Sequence, residues 1–357
     1  MIVGIVGLPS SGKTTVFNAI TGSDAPVGSF SSADTTHTAT VWVRDERLEA
    51  LRDHYRPRKL TPASFQVRDF CIISGEGEKI KDLNPRMLAA VREVDALLKV
   101  VRGFDLPGSP PDPAAELEEM DTEFLFADLG IIERRMERLE KSSRKPHPNA
   151  AAEKKELELL SRCREQLLAE RPLAELEMKD EERKMLSAYS FLSLKPSLVV
   201  LNLDDEVSDE EARRRFAPLF AAHPDTVPLR ARIQMELARL SEDERAAFME
   251  ELGIEDPAAD KIVKAAFRLL GLISFFTIGK DEVRAWTLKK GSDALTAAGR
   301  IHTDLARGFI RAEVIHFDEL ASAGLDRKTA RNKGLARLEA KNYVVRDGDV
   351  IEIRFNV

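Results

Sequence analysis

The sequence predicts an α/β protein: a mostly parallel sheet with helices on both faces, interrupted by a helical hairpin and followed by a small β-rich module. Three observations carry that prediction. Short, continuous apolar runs alternate with amphipathic segments in residues 1–113 and again in 193–270, as strands buried on both faces of a sheet require. Residues 114–192 change to long, charged stretches with apolar residues at helical spacing. From residue 271 to 357 short strand-like runs follow one another between turn signals.

The elements follow in order. "MIVGIV" is a first buried strand, and Lys13–Thr21 a helix with Val16, Phe17 and Ile20 on one face, stopped by Gly22. "TATVWV", "SFQVRDFCII" and "DALLKVV" are the next strands, closed by the proline-rich "PGSPPDP". Leu117, Met120, Phe124, Ile131 and Leu139 recur at helical spacings of three, four, seven and eight, and Leu157, Leu160 and Leu167 at three and seven after "KPHPN". This predicts an antiparallel hairpin with a coiled-coil-like seam. "SLVVLN" and "VPLRA" resume the strands, and residues 234–252 and 257–270 read as amphipathic helices, so the hairpin is an insertion within one sheet domain. The last module reads as "FFTIG", "VRAWTL", "RAEVIHF" and a closing hairpin of "YVV" and "VIEIRF" around Asp347-Gly348, with few helices between.

Composition excludes several classes of function. A chain of 357 residues with 43% hydrophobic side chains can build real cores, yet no apolar run reaches transmembrane length, and no membrane partner is expected. The opening lacks the basic region of a signal peptide, and Cys71 and Cys163 are too few for a disulfide framework. A cytoplasmic protein is the expectation. The net charge of −7 argues against a non-specific nucleic-acid coat, but residues 272–357 carry 15 Lys/Arg against 12 Asp/Glu, a net of +3.

Chemistry enters at "GLPSSGKTT". Gly7-x4-Gly12-Lys13-Thr14 sits between a strand and a helix, the context a Walker A phosphate loop requires. Gly7, Ser10, Ser11 and Gly12 would present backbone N–H groups to phosphates, with Pro9, which has no N–H, in the same phosphate-binding stretch and Thr15 behind them at the helix start. Lys13 would reach the β/γ-phosphates and the Thr14 hydroxyl would ligate Mg²⁺. The loop alone leaves kinase, ATPase and GTPase open. "LVVLNLDDE" narrows the choice: Asn202 ends a buried strand, where open α/β sheets bind ligands, with Leu203 next and Asp205 three residues on. The spacing is that of a GTPase base motif with leucine in place of its lysine.

These blocks, with "AAVREVDALLKVVRGF", "LLGLISFFTIGKDEVRAWTLKKG", "AAGRIHTDLARGFIRAEVI" and "YVVRDGDVIEIRFNV", resemble the YchF branch of the Obg-like GTPases and ATPases along nearly the whole chain. The resemblance implies a P-loop G domain (1–113 and 193–270), an inserted helical hairpin (114–192) and a ubiquitin-like, β-grasp TGS domain (271–357). It implies a purine nucleotide, GTP or ATP, and a ribosome or RNA partner reached through the TGS domain and the hairpin. It also places Asp69 on the Mg²⁺ side, offers Thr35 or Thr36 as the switch threonine, and puts Ala231 in the loop that meets the base. The family's base motif ends in glutamate, and here the acid is Asp205; ATP and GTP both stay open. Three departures concern hydrolysis: the switch glycine after Asp69 is Ile72, no histidine lies in residues 105–111, and Ser10 replaces an asparagine that helps hold a monovalent cation. The expectation is a slow nucleotide hydrolase, with a non-hydrolysing nucleotide-binding regulatory module as the alternative. Lys289, Lys290, Arg327, Lys328, Arg331 and Lys333 are the candidate RNA contacts.

Overall fold

The structure, a computed structural model, describes residues 1–26, 37–70, 85–142, 148–251 and 257–356. Two compact units emerge, Met1–Ala39 with Val67–Ala259, and Thr40–Gln66 with Asp260–Val357. The C-terminal unit therefore also takes in residues 40–66 and most of one helix N-terminal to residue 271.

The first strands are β1 (Ile2–Val6), β2 (His37–Val43), β3 (Lys59–Thr61), β4 (Ala63–Asp69), β5 (Ala96–Arg102), β6 (Ser197–Asn202) and β7 (Val227–Leu229). Between them lie the helices α1 (Lys13–Thr21), α2 (Glu46–Tyr55), α3 (Pro85–Arg92), α4 (Pro113–Ser142) and α5 (Ala150–Leu168). One sheet runs in the order β2-β4-β1-β5-β6-β7, and β1, β5, β6 and β7 are parallel. Its central strands are apolar on both faces because both are covered. Val3, Ile5, Leu97, Leu98, Val100 and Leu201 are fully buried, each contributing ~1.5–3 kcal/mol through loss of water contact. On one side Val91, Leu117, Met120, Phe124 and Leu219 pack against Val6, Val101 and Leu201. Elsewhere Val16 and Phe17 of α1 are buried, and the helix Ala231–Arg239 lies against α1.

The chain leaves β5, runs out along α4, returns along α5 and re-enters the sheet beside β5 as β6. The apolar positions of this excursion serve two cores rather than one seam. Leu117, Met120 and Phe124 belong to the sheet core, whereas Leu139, Leu160 and Leu167 pack together with Ile132, Cys163, Leu173, Leu186 and Phe191. Ile132 on α4 is fully buried, whereas its neighbour Ile131 and Leu157 are only partly covered. Burial pushes the Cys163 thiol up to about 11, so it stays protonated and acts as a small apolar side chain.

The second unit holds β8 (Leu272–Ile278), β9 (Glu282–Lys289), β10 (Phe309–His316), β11 (Arg337–Glu339) and β12 (Asp349–Phe355). Its mixed sheet has the order β11-β10-β12-β8-β9-β3, with β12 parallel to β8 and β3 parallel to β9. Helix Ala294–Ile301 supplies Ala294 and Ala297 to a core with Ile273, Phe275, Leu288, Val314 and Ile351. Two expectations fail here. Residues 343–345 form no strand and do not pair with β12; Val344 makes a single bridge to Asp293. β12 instead finds longer partners on both sides, antiparallel β10 and parallel β8, which satisfy its backbone. Four short helices also intervene, at Ala294–Ile301, Thr303–Arg307, Phe317–Ser322 and Arg327–Asn332.

Arg327 and Arg331, expected as RNA contacts, are engaged within this fold. Arg331 donates to Glu313 at 2.6 Å and lies 3.0 Å from Glu352, and Arg327 pairs with the same two carboxylates. Arg354 also donates to Glu313 at 2.6 Å. Burial works against ionising Glu313, but Arg331, Arg354 and Arg327 outweigh it and hold its carboxyl below the usual range. A lowered folded-state value stabilises above the unfolded value of ~4.3 and is lost as the pH falls through the folded value. The stability gap between the wild type and Glu313→Gln, measured by urea unfolding, is therefore expected to be full at neutral pH. It should shrink steadily below about pH 4; a gap independent of pH would refute the assignment.

Candidate nucleotide site

The site forms where β1, β5 and β6 end on the same edge of the sheet, at Val6, Arg102 and Asn202. Residues 7–12 turn between β1 and α1, and two glycines make that turn feasible. A Cβ on Gly7 would lie 2.3 Å from the Val100 carbonyl oxygen. Gly12 caps α1 at φ 86°, and a Cβ there would fall 2.1 Å from Asn202 Nδ2. The loop is thus pressed against the strand that carries Asn202, and only glycine permits the approach. Ser10 also takes a left-handed φ of 61° at the exposed crest, beside half-buried Pro9, a conformation costing ~1–2 kcal/mol for a residue with a Cβ.

Side chains lock this arrangement. Asn202 Nδ2 donates to the Ser11 carbonyl at 3.1 Å, and the Lys13 ammonium donates to the Leu8 carbonyl at 2.8 Å. Ser11, Lys13, Asp69 and Asn202 are all buried polar residues. Thr14 Oγ1 donates to Asp69 Oδ2 at 2.9 Å, joining the helix start to the end of β4. A fully buried carboxylate against a hydroxyl at the head of a phosphate loop suits Mg²⁺, which takes hard oxygen ligands and uses few protein carboxylates. No group of three or more His, Cys, Asp or Glu able to hold a metal occurs among the described residues.

A pocket of about 90 Å³ adjoins the loop, lined by Gly12, Thr15, Phe104, Asn202, Leu203, Asp204, Asp205 and Arg232. Asp205 Oδ1 is buried there with no hydrogen-bond partner, while Oδ2 lies 3.9 Å from Arg232 Nη1. An orphaned buried acceptor beside a phosphate loop is a ready partner for a base edge. Leu203 is held by its N–H to the Leu229 carbonyl at 2.9 Å, and Ala231 is fully buried at the start of the next helix. Thus Gly7 to Thr15, Asp69, Asn202, Leu203 and Asp205 are drawn to one edge of the sheet. Ala231 lies outside the pocket lining, which its neighbour Arg232 reaches. Thr35, Thr36 and Ile72 lie outside the described residues.

Sequence reasoning missed Phe104 and Arg232. Arg102 pairs with Asn202 across β5 and β6, which carries Phe104 to the same rim. Arg102 is itself a clasp: its guanidinium donates to the carbonyls of Phe104 at 3.2 Å, Ser109 at 2.8 Å and Pro110 at 3.3 Å. It also pairs with Glu116 at the root of α4 at 3.1 Å.

This sheet with its parallel strands β1, β5, β6 and β7, a phosphate loop between β1 and α1 and an acid from a neighbouring strand facing its threonine defines a P-loop nucleotide-binding protein of the GTPase class. Residues 2–146 match the family described as 50S ribosome-binding GTPase, and residues 272–356 match the YchF-GTPase C-terminal family, described as of unknown function. The chain belongs to the YchF family. It is 37% identical to the ribosome-binding ATPase YchF of Bacillus subtilis (strain 168) over 100% of both chains. It is 34% identical to that of Escherichia coli O157:H7 over 99% of each, and 33% identical to Obg-like ATPase 1 of Caenorhabditis elegans, covering 99% of this chain and 92% of that one. Among solved structures, the Schizosaccharomyces pombe YchF GTPase matches with a TM-score of 0.85 at 27% identity, covering 99% of this chain and 97% of that chain.

Proposed function

We propose that this chain binds purine nucleotides with Mg²⁺, hydrolyses them slowly and associates with the ribosome in a nucleotide-dependent way. The observation that carries the reading is the junction of Lys13, Thr14 and Asp69 on one side of the loop with Asn202 and Asp205 on the other. Ribosome association is supported by relatives named ribosome-binding ATPases. In this reading residues 1–113 and 193–270 are the G domain, 114–192 the inserted hairpin, and 271–357 a TGS domain, and the work is done in the cytoplasm. The mixed sheet with one helix packed on its core supports the β-grasp assignment, and the packing of α4 on α5 supports the hairpin.

Phosphate is bound by backbone N–H groups of the loop 7–12 other than Pro9, which has none, by the Lys13 ammonium and by the N-terminus of α1. Thr14 and Asp69 would hold Mg²⁺, which when bound neutralises charge on the β/γ-phosphates. Asn202 and Asp205 would read the base, Asp205 offering its orphaned oxygen to N–H groups. Groups that act on the transition state are weaker: Ile72 replaces the switch glycine, and residues 105–111 supply no histidine.

The test is nucleotide titration together with steady-state turnover. ATP and GTP are expected to bind within about a hundredfold of each other, because the base constellation mixes features of two readers. Turnover by the isolated protein is expected at no more than about one per minute, with little preference for K⁺ over Na⁺. Discrimination beyond about a thousandfold, or turnover of several per second, overturns these assignments. Binding without any turnover would make the chain a regulatory nucleotide-binding module.

A further inference from the structure

We infer that a cavity between α4 and the helix Ala217–Ala222 receives a short amphipathic helix of a protein partner, apolar on its inner face and basic on its flanks. The cavity measures about 490 Å³ and lies wholly within the first unit. It shares no lining residue with the nucleotide pocket. Its back wall is the sheet face at Lys99 of β5 and Ser197 of β6, and its sides are α4, the helix Ala217–Ala222 and residues 170–175.

The walls select a helix. β5 and β6, the strands that reach the cavity, each have hydrogen-bonded neighbours on both sides, so no strand edge is open to an extended peptide. A segment seated against helices and a closed sheet face must satisfy its own backbone, which a helix does. The floor is apolar, with Leu117, Phe124, Leu192 and Leu219 beneath and half-buried Leu125 at one side. Along α4, Glu118, Thr122, Leu125 and Phe126 recur at i, i+4, i+7 and i+8, so they share one face. Phe126 is 65% exposed and carries the apolar strip outward past Thr122 on the cavity rim. A large apolar side chain left in water beside an apolar cavity is a mark of a protein-docking surface.

Charge sets the sign of the partner. Four acids and two lysines line the cavity, with His223 at its mouth. Both lysines are satisfied internally: Lys99 pairs with Asp121, and the Lys195 ammonium donates to the carbonyls of Arg92 at 3.0 Å and Val94 at 2.5 Å. Glu118, Glu170 and Glu175 are exposed, and their side chains make no hydrogen bond or ion pair among the described residues. One stands on α4, one in the residues after α5 and one in the turn Leu173–Glu175, so the free carboxylates flank the apolar floor from separate walls. Lysines or arginines on either side of an apolar anchor complement that arrangement.

The experiment uses the full chain and a fluorescent peptide of about 14 residues, with leucines three and four apart on one helical face and lysines on its flanks, titrated by anisotropy. Saturable binding in the micromolar range is expected. Glu170→Lys combined with Glu175→Lys should weaken it at least about tenfold, and Phe126→Ala about fivefold. Glu158→Lys with Glu165→Lys makes the same change of net charge at exposed positions of α5 and should leave the affinity at the wild-type value. A peptide with proline at its centre should bind at least about tenfold more weakly, because proline breaks a helix interior. An unchanged urea unfolding midpoint shows that each variant folds.

Wild-type peptide affinity in the Glu170→Lys, Glu175→Lys variant overturns the inference, and so does the absence of saturable binding. An equal loss in the α5 control overturns it as well, because the attraction would then be one of net charge. So does a leucine-free lysine peptide that binds as tightly, or spermidine that displaces the peptide at equal concentration; either result would make the cavity a seat for simple cations. A proline-bearing peptide that binds like its parent overturns it in favour of an extended segment.

Discussion

Replacing Lys13 with alanine is expected to lower nucleotide affinity by about a thousandfold, ~4 kcal/mol, in the presence of Mg²⁺. The Lys13 ammonium is a buried cation at the head of the loop, held at 2.8 Å from the Leu8 carbonyl, and phosphate oxygens would exchange a neutral partner for charged ones. Charge-assisted bonds are roughly twice as strong as neutral ones, and this one lies where solvent screening is weak. Folding should lose less, about 1.5–3 kcal/mol, since the ammonium's bond to the Leu8 carbonyl disappears from the loop. Isothermal titration of the variant against ATP and GTP, beside a urea melt, separates the two effects. Affinity within threefold of the wild type for both nucleotides would show that the loop does not hold phosphate.

The largest expected loss of stability lies elsewhere, at Asp128. This carboxylate on α4 is fully buried and accepts from Arg92 Nη1 at 2.7 Å, Leu192 N–H at 3.0 Å, and the Ser193 N–H and hydroxyl, both at 2.8 Å. Asp128→Ala would leave a mostly buried guanidinium and two amides without their acceptor. Breaking one side of a buried pair costs ~3–5 kcal/mol because the other charge stays desolvated. For a unit of this size the unfolding midpoint should fall on the order of 10 °C. Asp128→Asn keeps the shape and one acceptor, and should lose roughly half as much. Calorimetry decides it, and a shift for the alanine variant below about 2 °C would mean that the network is weak. The variant bears on the site as well, since residues 192–194 lead directly into β6 and so to Asn202.

These two residues mark what the sequence made legible. Lys13 could be read because the phosphate loop is contiguous, with spacing, strand and helix all in one short stretch. The meeting of Asn202 and Asp205 with the loop was legible because Asn202 ends an apolar strand, and such a strand in a parallel sheet ends on the same edge as β1. Asp128 could not be singled out from Asp121 or Glu123 on the same helix: what buries it is the arrival of Leu192 and Ser193, more than sixty residues later. Phe104 and Arg232 depend on strand register and helix placement, which no local pattern encodes. The supposed closing hairpin shows the converse. Asp347-Gly348 is a fair turn signal, but two long neighbouring strands outcompete a three-residue partner for β12. Likewise Arg327 and Arg331 looked free in sequence because Glu313 and Glu352 are distant along the chain.

The clasp made by Arg102 has a consequence for the entropy of ligand binding. The segment 103–112 rims the pocket through Phe104 and contains Pro107, Pro110 and Pro111, each with its φ already fixed. Arg102 holds the carbonyls at both ends of that segment, and Glu116 in turn orients Arg102. Fixing a free backbone residue costs ~1–2 kcal/mol, so a loose rim of this length would tax every binding event heavily. Here that ordering is completed as the chain folds, and a nucleotide meets a wall with little freedom left to lose.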